Sequence, residues 1–200
     1  MKVLTRFLLS ATSAEQFPAP GPPEIAFLGR SNVGKSSVIN SLLGSRVART
    51  SSTPGRTRTI NFYEIRHPGN PRPWFVFADL PGYGYAKVPR ELSAEWPQFI
   101  EPYLLDRAPL SLCLALVDLN VPPQASDLQL MEWLQAKQRP FVVVATKADK
   151  LSGNQRANSR RALEKAFQTD AILPYSARTG DGRQELWQRI RESAKLREAG

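Results

Sequence analysis

Apolar residues in this chain occur as short continuous runs that alternate with stretches of helical spacing. Ile25, Ala26, Phe27 and Leu28 stop at a glycine-bearing segment, after which Val38, Ile39, Leu42 and Leu43 recur at helical intervals. The pattern predicts a strand over 24–29, a loop, and a helix over 35–43 that Gly44 is placed to end. INFYEIR (60–66) and WFVFADL (74–80) read as strands joined by HPGNPRP, whose prolines and glycine make a turn, so a hairpin is expected. LSLCLALVDL (110–119) and FVVVATKAD (141–149) are nearly all apolar, as strands buried on both faces of a parallel sheet are. Leu128, Met131, Trp133, Leu134 and Ala136 suit a helix between them. Two further helices, over 154–167 and 183–198, flank a short strand at 171–174.

Two regions read less cleanly. Leu92, Trp96, Phe99, Ile100, Tyr103 and Leu104 keep a helical spacing, but Pro97 and Pro102 are expected to kink or restart that helix. Residues 1–23 carry only a short apolar patch (Phe7, Leu8, Leu9) before PAPGPP, and read as an arm against a domain spanning 24–200. Strands alternating with helices argue an α/β doubly wound sheet, in which ligands sit at the carboxyl ends of the strands.

The polar clusters fall at those ends. GRSNVGKSS (29–37) fits the loop that wraps its backbone N–H groups around nucleotide phosphates. Gly29 and Gly34 allow tight turns, Lys35 reaches the β- and γ-phosphates, and the Ser36 hydroxyl holds Mg²⁺. DLPG (Asp79, Leu80, Pro81, Gly82) ends a strand, so Asp79 can reach the metal through a water and the Gly82 N–H can approach the γ-phosphate. In TKAD (Thr146, Lys147, Ala148, Asp149) a carboxylate at Asp149 can accept from guanine N1–H and its exocyclic amine, donors that adenine lacks. Lys147 is expected over the base plane, with the Ser176–Ala177 backbone near guanine O6. Taken alone, TKAD reads equally as a strand-end charge cluster.

Charge adds a partner class. Lys and Arg number 27 against 18 Asp and Glu, a net charge of +9, which suits a polyanion: nucleic acid, a ribonucleoprotein or an anionic membrane. Six basic residues (Arg46, Arg49, Arg56, Arg58, Arg66, Arg72) face one acid, Glu64, between Gly44 and Pro73, so +5 of the charge lies in that segment, although a solvated loop would look the same. The lone Cys113 excludes an intramolecular disulfide and fits a reducing, cytoplasmic compartment. The apolar run near residue 7 is too short for a signal peptide or transmembrane span. His67, the one histidine, has no cysteine or second imidazole near it for a metal site.

Together GRSNVGKS, TPGRT, DLPG, TKAD and YSA resemble the translation-factor class of P-loop GTPases. NFY after TPGRTRT, with DLPGYGYAKV, resembles the EngB ribosome-biogenesis family. The resemblance runs from Glu24 to the C-terminus and is most specific up to Val88. It implies a Ras-like GTPase domain with a mostly parallel six-stranded sheet and one antiparallel edge strand, binding GTP and GDP with Mg²⁺. It carries Arg30, Ser31, Asn32 and Val33 into the phosphate loop and Gly55, Arg56, Thr57, Arg58 and Thr59 into switch I, with Thr57 the second Mg²⁺ ligand and Tyr175 beside the base loop. It further implies a partner in the large ribosomal subunit, a monomer, no membrane, and a link to normal cell division.

Three positions depart from related GTPases. Thr146 replaces the usual asparagine, and a hydroxyl cannot both donate to guanine N7 and brace the phosphate loop, so modest affinity is expected. Tyr83 stands where Ras-type enzymes carry the glutamine that orients water, so unaided hydrolysis should be slow. Asp118-Leu119-Asn120 replaces D-x-R. Asn32 is then the candidate to assist catalysis, since related GTPases with GRxNVGKS hold K⁺ there; the alternative is that it braces the loop by hydrogen bonds. A GTP-regulated membrane switch is the competing function, without a lipidation motif in its favour. A P-loop kinase using ATP is opposed by TKAD.

Overall fold

The computed structural model describes residues 2–48, 59–83 and 98–198. The sheet has seven strands, β1 (Leu4–Ala11), β2 (Glu24–Gly29), β3 (Ile60–Arg66), β4 (Pro73–Asp79), β5 (Leu110–Asp118), β6 (Phe141–Thr146) and β7 (Ile172–Pro174), in the order β1-β3-β4-β2-β5-β6-β7. β2 pairs in parallel with β4 and β5, and β5, β6 and β7 continue in parallel, while β3 runs antiparallel to both β1 and β4. Helices α1 (Lys35–Leu43), α2 (Ile100–Asp106), α3 (Ala125–Ala136), α4 (Gly153–Phe167) and α5 (Arg183–Glu198) cover the two faces.

The buried strands alternate as a pleat requires. Ile25 and Phe27 of β2, with Leu112, Leu114 and Leu116 of β5, face Ile39 and Leu42 of α1 and Leu186, Trp187 and Ile190 of α5. Ala26, Leu28, Cys113, Ala115 and Val117 face Tyr103, Leu104, Leu130, Leu134 and Leu163 on the other side. Full burial pushes the Cys113 thiol up to about 12, so it is an inert core group.

The expected sheet of six strands is corrected to seven. Residues 4–11 pair along the outer edge of β3, from Leu4 opposite Arg66 to Ala11 opposite Ile60. The register shifts between Phe7 and Leu9, so Leu8 and Leu9 both pack on the core, and this bulge erases the alternation that would have marked a strand. Arg107 ties the following segment down: it donates to the Pro18 carbonyl (2.8 Å) and pairs with buried Glu24 (2.5 Å), whose carboxylate also accepts from Tyr103 (2.9 Å).

Pro102 does not interrupt a helix, because α2 begins at Ile100 and places the proline in the first turn, where no N–H partner is needed. Leu92, Trp96 and Pro97 lie outside the described residues. β6 ends at Thr146, three residues before the apolar run does, because Lys147 turns left-handed (φ 59°) and Ala148–Lys150 form a 3-10 turn.

Candidate functional site

Gly29 closes β2 where a side chain has no room: a Cβ there would lie 2.8 Å from Val33 Cγ1 and 3.0 Å from the Leu116 carbonyl. The chain then passes Arg30, Ser31, Asn32 (φ 61°) and Val33 to Gly34, whose φ of 103° starts α1 with its N–H groups unpaired toward the sheet's carboxyl edge. Lys35 Nζ pairs with Asp79 Oδ1 at the end of β4. Both side chains are largely buried, so the phosphate-loop lysine and the strand-end carboxylate share one small space. The adjacent Ser36 hydroxyl has no hydrogen-bond partner among the described residues.

After Asp79, Leu80 donates its N–H to the Phe27 carbonyl (3.2 Å), which lays the D-L-P-G turn beside β2. Leu80 and Pro81 are buried, and a Cβ on Gly82 would lie 3.1 Å from the Ser31 nitrogen. Ser31 N–H donates to the Tyr83 carbonyl (3.1 Å). Thus the turn and the phosphate loop touch backbone to backbone, an approach that a side chain at Gly82 would crowd. Of the switch I residues, Thr59 directly precedes β3; Gly55, Arg56, Thr57 and Arg58 lie outside the described residues.

On the opposite rim, Thr146 donates its hydroxyl to the Val33 carbonyl (2.6 Å), with the Val117 carbonyl at 3.0 Å. Threonine therefore does brace the phosphate loop, and its single proton is committed there. Lys147 Nζ spans to the Asn32 carbonyl (2.9 Å) and Asp118 Oδ2 (2.6 Å), so its stem lies across the loop beside Gly34. Asn120 donates to the Lys147 carbonyl (3.1 Å) and to Asp118 Oδ1 (3.0 Å), giving Asp118-Leu119-Asn120 a role: it orients Lys147. Burial opposes the Asp118 charge, but the bonds from Lys147 and Asn120 outweigh it and hold its pKa below the usual carboxylate value.

Asp149 stands at the mouth, where the Ser176 hydroxyl donates to Oδ1 (2.7 Å) and holds its pKa below the ordinary value. Ala148 N–H donates to the Tyr175 carbonyl (3.1 Å), while the Tyr175 hydroxyl reaches Ser41 (2.9 Å) on α1. Gly34, Ser37, Thr146, Lys147, Asp149 and Ala177 line one cleft of about 1120 Å³ with the end of α1. Gly34 of the phosphate loop and the TKAD residues, far apart in sequence, thus line the same pocket.

Sequence reasoning missed several participants. Arg30, expected among the nucleotide contacts, turns its guanidinium to Asp127 of α3 (Nε to both carboxylate oxygens, 3.1 Å), leaving only its backbone in the loop. The Tyr83 hydroxyl donates to the same carboxylate (3.1 Å). Asn40 holds the Ala48 backbone by two bonds of 2.8 Å, fixing where the chain leaves α1 for switch I. No local pattern marks Asp127, which reads as an ordinary acid in a first helical turn. Asn32 is a correction to the bracing alternative: its side chain bonds to none of the described residues, and Lys147 and Thr146 brace the loop instead.

A family model described as a 50S ribosome-binding GTPase matches residues 24–147. The probable GTP-binding protein EngB of Koribacter versatilis is 61% identical over 194 residues, covering 97% of this chain and 96% of the relative. The chain belongs to the EngB family of GTPases. The probable EngB protein of Acidobacterium capsulatum is 56% identical across 100% of this chain and 95% of its own length. A crystal structure of a probable GTP-binding protein EngB superposes with a TM-score of 0.63 at 26% identity, covering 86% of this chain and 99% of that one. The chain is accordingly a P-loop GTPase that binds GTP and hydrolyses it, on a Ras-like fold.

Proposed function

We propose that this EngB GTPase is a GTP-driven switch acting in assembly of the large ribosomal subunit in the cytoplasm, and thereby supporting normal cell division. The observation that carries the switch is the cleft that Gly34 of the phosphate loop and Asp149 of TKAD line together, next to which Lys35 pairs with Asp79 at the end of β4. In this reading Lys35 holds the β- and γ-phosphates, Gly82 offers its N–H to the γ-phosphate, and Asp149 accepts from guanine. The residues fit Mg²⁺: one carboxylate and a hydroxyl without a partner among the described residues suit an ion that takes few protein ligands and completes its shell with phosphate and water. Ser36 and Thr57 would hold it, Asp79 through water, and the ion would offset phosphate charge.

The family's description as ribosome-binding and the basic segment 44–73 support the partner. GTP-bound protein is expected to cosediment with large subunits and not with anionic liposomes, and GDP to weaken it. Affinity should fall steeply with salt, since each neutralised phosphate releases condensed counterion, and Arg56→Glu with Arg58→Glu should flatten that slope. Equal binding in GTP and GDP, or binding to liposomes, would overturn the reading.

Tyr83 is turned away to Asp127, so it cannot orient water, and slow unaided turnover follows. Asn32, exposed and with its side chain unbonded to the described residues, is left to hold K⁺ against the developing phosphate charge. Steady-state turnover with Mg²⁺ is expected to be faster in KCl than in NaCl at equal ionic strength, with Asn32→Ala removing the difference and sparing GTP binding. Equal rates in the two salts would assign the asparagine no such role.

A further inference from the structure

Two segments meet beside the position read here for the γ-phosphate: the phosphate loop at Arg30–Ser31 and the turn at Gly82–Tyr83. Their backbones form a parallel bridge between Arg30 and Tyr83, with Ser31 N–H donating to the Tyr83 carbonyl. The bridge joins the two backbones at these residues. The side chains of the same two residues add a further attachment. Arg30 Nε sits 3.1 Å from both oxygens of Asp127, and the Tyr83 hydroxyl sits 3.1 Å from Oδ1 of the same group. Asp127 is 2% exposed and Tyr83 1%, so water has little access to the carboxylate that both bonds share. The carboxylate lies in the first turn of α3, where the helix dipole favours negative charge.

We propose that Asp127 is a positioning residue for GTP hydrolysis, fixing the Gly82 turn against the phosphate loop through Tyr83 and Arg30. None of the three side chains touches nucleotide in this scheme; they act through the backbone of Gly82, which lies so near Ser31 that a Cβ there would come within 3.1 Å of the Ser31 nitrogen. Displacement by about 1 Å of a group that faces the reacting phosphate is enough to slow a reaction strongly. The tie also makes α3 a rigid support of the catalytic loop, although the helix contributes nothing to the cleft itself. The inference rests on the reading that Gly82 faces the γ-phosphate.

The test is a comparison of wild type, Tyr83→Phe and Asp127→Ala in the full chain with Mg²⁺. Tyr83→Phe deletes one hydroxyl and leaves Arg30 on Asp127, so its fold should survive where Asp127→Ala is at risk. It is expected to lower kcat by about ten-fold while the KM for GTP, the GDP dissociation constant and the melting temperature stay near wild type. Where Asp127→Ala folds, it should lower kcat further, and adding Tyr83→Phe to it should cost nothing more. Wild-type kcat in Tyr83→Phe, or a kcat loss matched by equal weakening of GDP binding, overturns the positioning role. Failure of wild type to bind GDP would instead bring down the nucleotide-site reading, which the same titration reports separately.

Discussion

Thr146 has one proton and two possible acceptors of interest, the phosphate loop and guanine N7, and the structure spends it on the Val33 carbonyl. In the proposed function base recognition then falls on Asp149. Its carboxyl, held below the ordinary carboxylate pKa by Ser176, stays ionised through the neutral range, so guanine recognition should not titrate there. Asp149→Asn exchanges an acceptor pair for an amide, and preference should move from GTP toward XTP in a binding titration. Ser36→Ala should weaken Mg²⁺·GTP binding with little change in melting temperature, because its hydroxyl supports nothing in the described fold. Lys35→Ala behaves differently: it strands Asp79, only 5% exposed, without its cation, so a stability loss of up to about 3 kcal/mol is expected in a denaturant titration of the nucleotide-free protein. Sequence alone would have made the two variants equivalent.

At the scale of elements, the three glycines of the site do separate work. Gly34 supplies a left-handed cap, while Gly29 and Gly82 supply room. Gly29→Ala would press a methyl on the Leu116 carbonyl, a backbone atom held in the β2–β5 ladder that cannot move aside. Thermal unfolding should report a loss of about 1–3 kcal/mol, the usual range for overpacking, together with weaker GDP binding as the loop shifts. The loop and its flanking elements were legible because strand, glycine and helix are each written locally. Asp118-Leu119-Asn120 was visible only as a departure, since its function is to steer Lys147, a residue 29 positions away in the Asp118 pair and on a different strand end. The end of β6 was hidden for a related reason: the run FVVVATKAD continues to Asp149 while the backbone has already turned at Lys147.

Across the molecule, β1 protects the outer edge of β3. Removing residues 1–11 would uncover that edge and the packing of Leu8, Leu9 and Ala11 on the core. The truncated protein is expected to melt several degrees lower, by about 4 °C for each 1 kcal/mol lost, and to aggregate with concentration, measured by calorimetry and light scattering. Nucleotide binding by the fraction that remains folded should persist, because β1 stands at the far edge of the sheet from β2, β6 and the cleft.

The sequence by itself determined the order of strands and helices, the parallel core, and the motifs at the strand ends. Each of these rests on interactions within a few residues: side-chain period, glycine freedom, and the abrupt end of an apolar run. Only the tertiary structure decided what depends on distant segments meeting. It added the seventh strand, whose bulge broke its own pattern. It placed Thr146 on the Val33 carbonyl and Asn40 on Ala48. It drew Arg30 away from the nucleotide to Asp127, 97 residues on, and brought Tyr83 to the same carboxylate. A buried charge must find a partner, and which one it finds is set by packing across the sheet, which the local sequence does not encode.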